Sequence, residues 1–271
     1  RNAFRYCVNL NSVQLPLSLI SIGNSAFYGT AVKNVSIGAE LTINASRLIT
    51  IGDYAFYKCV NLTSFKAPQN TDIIGNYAFS SELPHRMKLN NVEFLGVDMT
   101  SIGINAFALT DIVTVTLPNR LKTIHKGAFK NCRYLLAIYI DDDTPTSSII
   151  NLAADAQDLL EGCDYAKIYV RDYKLNYYRS SSSSWNSLVS KIFSLDMIFD
   201  GFAISVIDPD AKTAELVHYV GDEINVIVPS HINGHKIVSI LPNVFNYAVK
   251  TVTVPNTVNT ISANAFYKSG V

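Results

Sequence analysis

Along this chain, short runs in which apolar and polar residues alternate recur between stretches rich in Gly, Asn and Ser. Val13 and Leu15, Val35 and Ile37, Phe65 and Ala67, Val92 and Phe94, Val115 and Leu117, and Ile138 and Ile140 each flank one intervening residue. Alternation over so few positions predicts short strands with one face buried. Pro16, Pro68 and Pro118 follow three of them, as suits a residue that cannot donate to a ladder. Between the strands lies a second pattern: "SIGNSAF", "TIGDYAF", "IIGNYAF", "SIGINAF" and "TIHKGAF", an Ile, a Gly-type turn, then a short helical or turn segment ending in Phe. Ala-Phe pairs place Phe at 4, 27, 56, 79, 107 and 129, and the pattern returns at Val244-Phe245 and Ala265-Phe266. Spacings of 22 to 29 residues are those of a solenoid. One such unit cannot bury its own apolar edge, so units must stack, pairing strands at about 4.8 Å per repeat and lining up equivalent Phe and Ile side chains in internal columns.

The repeat also absorbs residues that invite a chemical reading. "IGDYAFYKC" (51–59) holds an acid, a tyrosine and a cysteine, yet Asp53 and Tyr54 are matched by Asn24 and Ser25, Asn76 and Tyr77, and Ile104 and Asn105. Cys7, Cys59 and Cys132 lie three residues after a repeat Phe, and Cys163 three after Leu160, which replaces Phe. One structural slot in units two or more apart predicts free, buried thiols about 10 Å from one another, past the roughly 7 Å Cα limit for a disulfide.

Taken together, "IGDYAFYKCVNLTSFKAP" above all, these residues resemble the BspA-like leucine-rich repeat family, with units of about 23 residues. The resemblance covers almost the whole chain. It implies a right-handed, irregular leucine-rich-repeat solenoid of α/β repeat class, with short strands on one face and short helices or turns on the other. It also implies a surface or secreted protein that adheres to host or neighbouring-cell proteins and has no enzymatic activity. "AKIYVRDYKLNYYRSSSSSWNSLVSKI" (166–192) resembles the segment that closes an array in this family. Trp185, Leu188, Val189 and Ile192 have the spacing of one helix face that would hide the last apolar edge. The expected organisation is an array over 1–171, a helical cap and linker over 172–200, and over 201–271 a hairpin around "DPDAK" followed by the first units of a second, truncated array.

Composition narrows the function. The 271 residues are 48% hydrophobic and 16% charged, with 22 Lys plus Arg against 22 Asp plus Glu, a balance that gathers neither nucleic acid nor an anionic membrane. No apolar run approaches the roughly 18 residues of a membrane span. The chain starts "RNAFRYC" and stops at "AFYKSGV" in mid-pattern, which reads as a piece of a longer protein. Asp141, Asp142 and Asp143 lack the Gly turn and later Glu of a calcium loop. His231 and His235 share a Gly-containing turn with no third zinc ligand, and the serines of "RSSSSSW" have no base or oxyanion donors. "NVS", "NAS" and "NLT" at 34, 44 and 61 fit the N-glycosylation pattern. No cofactor is implied.

What remains is the outward strand position: Gln14, Ser36, Lys66, Glu93, Thr116, Tyr139 and Tyr169 should form one solvent-facing row. Lys66, Glu93, Thr116, Tyr139 and Tyr169 are the candidate binding residues, the tyrosines because they give contact area at low entropic cost. A spacer that binds nothing, and an accessory region of a larger enzyme, are the competing readings.

Overall fold

In the computed structural model every alternating run is a strand, and between successive runs lies a second, shorter strand that the alternation does not announce. The structure describes residues 1–38, 46–96, 99–140, 150–153, 156–267 and 269–270; the acidic run Asp141 to Asp143 lies outside them. Through the first part of the chain the strands are β1 (Ser12–Leu15), β2 (Ser21–Ile22), β3 (Asn34–Ile37), β4 (Thr50–Ile51), β5 (Ser64–Ala67), β6 (Ile73–Ile74), β7 (Asn91–Phe94), β8 (Ser101–Ile102), β9 (Thr114–Thr116), β10 (Thr123–Ile124), β11 (Ala137–Ile140), β12 (Asn151–Leu152) and β13 (Lys167–Val170). The even-numbered set through β12 forms a continuous six-stranded parallel sheet, in which Ile22, Ile51, Ile74, Ile102, Ile124 and Leu152 stand in register. The longer strands pair in parallel as β1 with β3, β5 with β7, and β9 with β11. Equivalent residues therefore superpose from coil to coil, as a solenoid requires.

Among the described residues, the third wall holds no helix in the coils through Phe129, and a single 3-10 turn, Ala156–Asp158, in the coil of Leu160. The left-handed conformation recurs at Ser25, Tyr54, Tyr77, Asn105 and Gly127 (φ 50 to 62°). It turns successive amides along the solenoid axis, so that Ser25, Phe27 and Gly29 donate to the carbonyls of Asp53, Ala55 and Tyr57, each at 2.8 Å. A helix would direct those amides into its own turn; here they join neighbouring coils.

The walls enclose a phenylalanine column. Successive ring centroids from Phe4 through Phe27, Phe56, Phe79 and Phe107 to Phe129 are 5.1, 5.1, 5.0, 5.4 and 5.5 Å apart, with planes within 12° of parallel. All but Phe4 are buried. Beside the column, Asp53 proves to be structural: its Oδ1 accepts from the Asn76 amide at 2.7 Å, as Asn24 Oδ1 accepts from Asp53 and Asn76 Oδ1 from Ile104. The adjoining glycines are required by this close approach, since a Cβ on Gly52 would sit 2.4 Å from Asn24 Oδ1 and 2.7 Å from its amide nitrogen.

The cysteine slot is a hydrogen-bond position. Cys59, Cys132 and Cys163 donate from Sγ to the carbonyls of Phe27, Phe107 and Phe129 at 3.0 to 3.1 Å. Thr30 and Thr110 fill the same slot and meet Cys59 and Cys132 at 3.3 and 3.2 Å. All four cysteines are free, but two expectations fail. Cys7 is exposed. Cys132 and Cys163 occupy consecutive coils, because Leu160 directly succeeds Phe129 in the column's order, and their thiols touch. That contact and burial push the Cys163 thiol upward, and burial pushes Cys59 up to about 11. These are inert core groups.

After the last coil the chain forms helix α1 (Asp172–Arg179) and a 3-10 segment over Asn186–Lys191. Trp185 and Tyr178 are fully buried and meet edge to face at 5.5 Å. The side chains complete the otherwise unpaired edge at β12. Trp185 Nε1 donates to the Ile150 carbonyl at 2.7 Å, the Ile150 amide donates to Tyr178 Oη at 3.3 Å, and the Leu152 amide donates to Ser184 Oγ at 3.0 Å. The expected four-residue helix face is not formed. Three residues per turn swing Val189 outward, 38% exposed, and Ile192 begins strand β14 (Ile192–Ser194); Trp185, Leu188 and Ile192 bury as anticipated, Ile192 from the strand and not from a helix face.

Lys167, at the start of β13, is buried. Desolvation, reinforced by the charge of Lys191, lowers its ammonium to about 8; Lys191 itself donates to the carbonyls of Cys163 and Ala166. An unfolded lysine titrates near 10.4. Between about pH 8 and 10 the unfolded chain therefore holds the proton that the folded chain has released, and stability rises with pH across that window. The rise is on the order of 3 kcal/mol for a shift of this size. The buried Cys59 and Cys163 thiols, raised in the fold, lower stability over the same window, so the test is a difference: in urea, the parent should gain on Lys167→Met between pH 7.5 and 10 by an amount on the order of 3 kcal/mol.

The chain divides into two compact units, residues 1–168 with 173–192, and residues 169–172 with 193–271. In the second, β15 (Ile198–Phe199) leads into the hairpin of β16 (Phe202–Asp208) and β17 (Thr213–Tyr219). Asp208 Oδ1 caps its turn by accepting from the amides of Asp210 and Ala211. Next come β18 (Asn225–Ile227), β19 (His231–Ile232), β20 (His235–Ile240), β21 (Thr251–Thr253) and β22 (Thr260–Ile261). β18 pairs with β21 and β20 with β22, both in parallel, and Phe245 stacks on Phe266 at 5.3 Å: the coil pattern has restarted. His231 and His235 flank a two-residue turn, Asn233-Gly234, with both φ positive, as a tight hairpin demands.

Candidate binding surface

On a strand whose neighbours are in register, every second side chain leaves the core on the same side. Gln14 pairs with Ser36, Lys66 with Glu93, and Thr116 with Tyr139. Lys66 Nζ lies 3.3 Å from Glu93 Oε2, both side chains nearly half exposed, a cross-strand ion pair of the kind worth up to about 1 kcal/mol. Thr116 is exposed and Tyr139 half-buried, with burial raising its phenol.

The expected single row is not continuous. The long strands form separate sheets, β1 with β3, β5 with β7, and a four-stranded sheet that includes β9 and β11. Tyr169 does not face solvent at all. It is fully buried, and its hydroxyl is 3.0 Å from Nδ1 of buried His218 within the second unit. Strand β13 is buried along its whole length, so alternation fails there. Lys66, Glu93, Thr116 and Tyr139 are the accessible members of the candidate set.

A second surface escaped the sequence reading. Tyr28 and Tyr57 directly follow a repeat Phe, and Tyr54 and Tyr77 directly precede a repeat Ala. Stacking of the coils brings them together with Tyr6: Tyr6 to Tyr28 5.3 Å, Tyr28 to Tyr57 5.1 Å, Tyr54 to Tyr57 5.3 Å, and Tyr54 to Tyr77 4.9 Å with planes 4° apart. The Arg5 guanidinium lies 5.1 and 4.7 Å from the rings of Tyr6 and Tyr28. The words "AFY" and "YAF", repeated at one coil position, were the available signal. Burial and the neighbouring Glu82 carboxylate push the Tyr57 phenol up to about 12, so it stays a hydrogen-bond donor.

Among the described residues no three His, Cys, Asp or Glu side chains are grouped to hold a metal, and no helix is long and apolar enough to cross a membrane.

Residues 1–136 and 226–271 match the model of the BspA type leucine rich repeat region, in six copies. Among solved structures, the chain is similar to a leucine rich cell surface protein from Faecalibacterium prausnitzii A2-165, at 16% identity over 95% of this chain and 63% of that one, with a TM-score of 0.36. It is also similar to a leucine-rich repeat protein from Bacteroides ovatus ATCC 8483, at 16% identity over 99% of this chain and 78% of that one, with a TM-score of 0.26. The chain thus spans less than two thirds of the length of the first. No curated protein matches it.

Proposed function

The chain belongs to the BspA-type leucine-rich repeat family, and from that premise we propose that it is a non-enzymatic module, secreted or displayed at a cell surface, that adheres to a host or neighbouring-cell protein through the outward face of its long strands. The observation that carries this reading is the register of Lys66 with Glu93 and of Thr116 with Tyr139: side chains able to contact a partner are fixed on a hydrogen-bonded scaffold and lose little freedom on binding. Of the competing readings, a spacer needs no such mixture of charge, hydroxyl and aromatic groups.

The test is capture of immobilised extracellular-matrix and neighbouring-cell proteins by the purified chain, with a variant carrying Lys66→Ala, Glu93→Ala and Tyr139→Ala. Saturable binding that the triple variant weakens at least roughly tenfold supports the reading. Balanced charge also predicts little change in affinity between low and moderate salt. Background-level capture of every protein would leave the spacer, and turnover abolished by a point substitution within the chain would make it an enzyme.

A further inference from the structure

Tyr54 and Tyr77 hold the same position on successive coils, each two residues before a repeat Phe. Both take the left-handed conformation, φ 56°, and both donate their amides at 2.8 Å to the next coil, to the carbonyls of Asn76 and Ile104. Their side chains therefore leave the backbone in parallel, one coil apart, and the rings stack at 4.9 Å with planes 4° from parallel. The core does not require this pair. Tyr54 is 37% exposed and Tyr77 half-buried, and the coils on either side carry Ser25 and Asn105 at the same position.

The other contacts of the tyrosine array differ in geometry. Tyr6 meets Tyr28 at 74° and Tyr54 meets Tyr57 at 72°, so the edge of one ring points at the face of the other; Tyr28 and Tyr57 are tilted by 40°. Tyr57 is also anchored. Its hydroxyl donates to Glu82 at 3.3 Å, and Glu82 pairs with Lys58 at 2.6 Å. Glu82 belongs to a loop around Leu83 that Arg86 ties to the following coils through the carbonyls of Thr110 and Asn131, both at 2.7 Å. Charge separates the pairs as well. The Arg5 guanidinium lies 4.7 Å from the Tyr28 ring and the Lys58 ammonium 5.8 Å from the Tyr57 ring, and a nearby cation opposes removal of an electron from a ring. Tyr54 has a carboxylate instead: burial, the Tyr77 phenol and Asp53 push its own phenol upward, and the negative charge of Asp53 eases loss of an electron.

We propose that Tyr54 and Tyr77 form an oxidative cross-linking site, at which a haem peroxidase using hydrogen peroxide joins the two coils through a dityrosine bond. Each phenol gives its O–H hydrogen, one electron and one proton, to the oxidant. The two phenoxyl radicals join through a carbon ortho to each oxygen, and the hydrogens on those carbons move to the oxygens as the rings regain aromaticity. The protein loses two hydrogen atoms in total, and one hydrogen peroxide is reduced to two waters. The Cβ–Cγ torsion of a tyrosine is soft, so the two rings can swivel from stacked to edge-to-edge while the backbone stays in place. Holding the partner one coil away makes the coupling intramolecular. The product is a covalent tie between coils otherwise joined by hydrogen bonds and packing. This site is separate from the strand face and does not rest on it.

The experiment treats the dilute chain with a haem peroxidase and hydrogen peroxide, after alkylation of the exposed Cys7 thiol, which would otherwise quench the radicals. Peptide mass spectrometry should find the segments holding Tyr54 and Tyr77 joined with loss of two hydrogens, in a chain that still runs as a monomer. Tyr54→Phe and Tyr77→Phe retain the rings and should leave the urea midpoint of the untreated chain unchanged. Each should lower the dityrosine fluorescence of the monomer at least roughly tenfold, and Tyr28→Phe should leave it at the parent's level. The strand-face triple variant should cross-link like the parent, which separates failure here from failure of the strand-face reading. No cross-link within the chain, coupling mainly at another pair, bonds only between chains, or full fluorescence in both Phe variants would overturn the site.

Discussion

Phe79→Ala should lower the free energy of unfolding of the first unit by about 3–5 kcal/mol. The ring is fully buried and touches Phe56 at 5.0 Å, Phe107 at 5.4 Å and Phe65 at 4.8 Å. Its removal opens a cavity that coils hydrogen-bonded on three walls cannot collapse to fill. In a stacked array each coil is stabilised mainly by its two neighbours, so the substitution also weakens the coupling between the coils before and after it. Urea unfolding followed by circular dichroism should show a lower midpoint and a broader or divided transition. Phe4→Ala is the control: the same chemistry at a position 40% exposed and stacked on one side only should cost about 1 kcal/mol or less. Equal losses at the two positions would contradict a continuous column.

The second large effect belongs to Trp185. Trp185→Ala removes a fully buried ring together with the donor to the Ile150 carbonyl, and a loss of about 3–5 kcal/mol follows from the cavity. Trp185→Phe separates the contributions. A benzene ring retains contact with Tyr178, but the Ile150 carbonyl is left buried without its donor, a loss of about 1–3 kcal/mol. Hydrogen exchange localises the effect. The amides of Ile150 and Leu152, held by Tyr178 and Ser184, should lose protection, whereas that of Asn151, held by the Lys122 carbonyl in the sheet, should change less. A uniform loss of protection through the first unit would show instead that the cap is required for the whole array to fold.

Both effects were anticipated in kind by the sequence, the column from the Phe spacing and the cap from Trp185. The candidate surface was legible only in part. Period-two alternation places Lys66, Glu93 and Thr116 outward correctly, because on their strands one face has the core and the other has water; on β11 it holds only in part, with Tyr139 half-buried and Ala137 of the same face fully buried. The same rule misplaces Tyr169, since nothing in β13's own residues tells that both of its faces are covered. The Cys slot was found from spacing and misassigned in detail: coils differ in length, so Leu160 follows Phe129 immediately in space and brings Cys163 against Cys132. The 3-10 geometry around Leu188 and the two-residue strands leave no periodicity to read, being too short for one.

The sequence by itself determines the coil: where each strand lies, which Phe, Ile and Gly recur, and that units must stack, since each of these is set by spacing within one repeat and by the need to bury an edge the unit cannot cover alone. Only the tertiary structure decides which residues of different coils become neighbours. It brings Tyr6, Tyr28, Tyr57 and Glu82, far apart in sequence, into one chain of contacts along the wall, and it pins the Leu83 loop from both sides. The physical reason is that stacking sets a spacing of about 5 Å along an axis the chain crosses once per coil, so contacts along that axis join positions whose separation in sequence varies with every insertion.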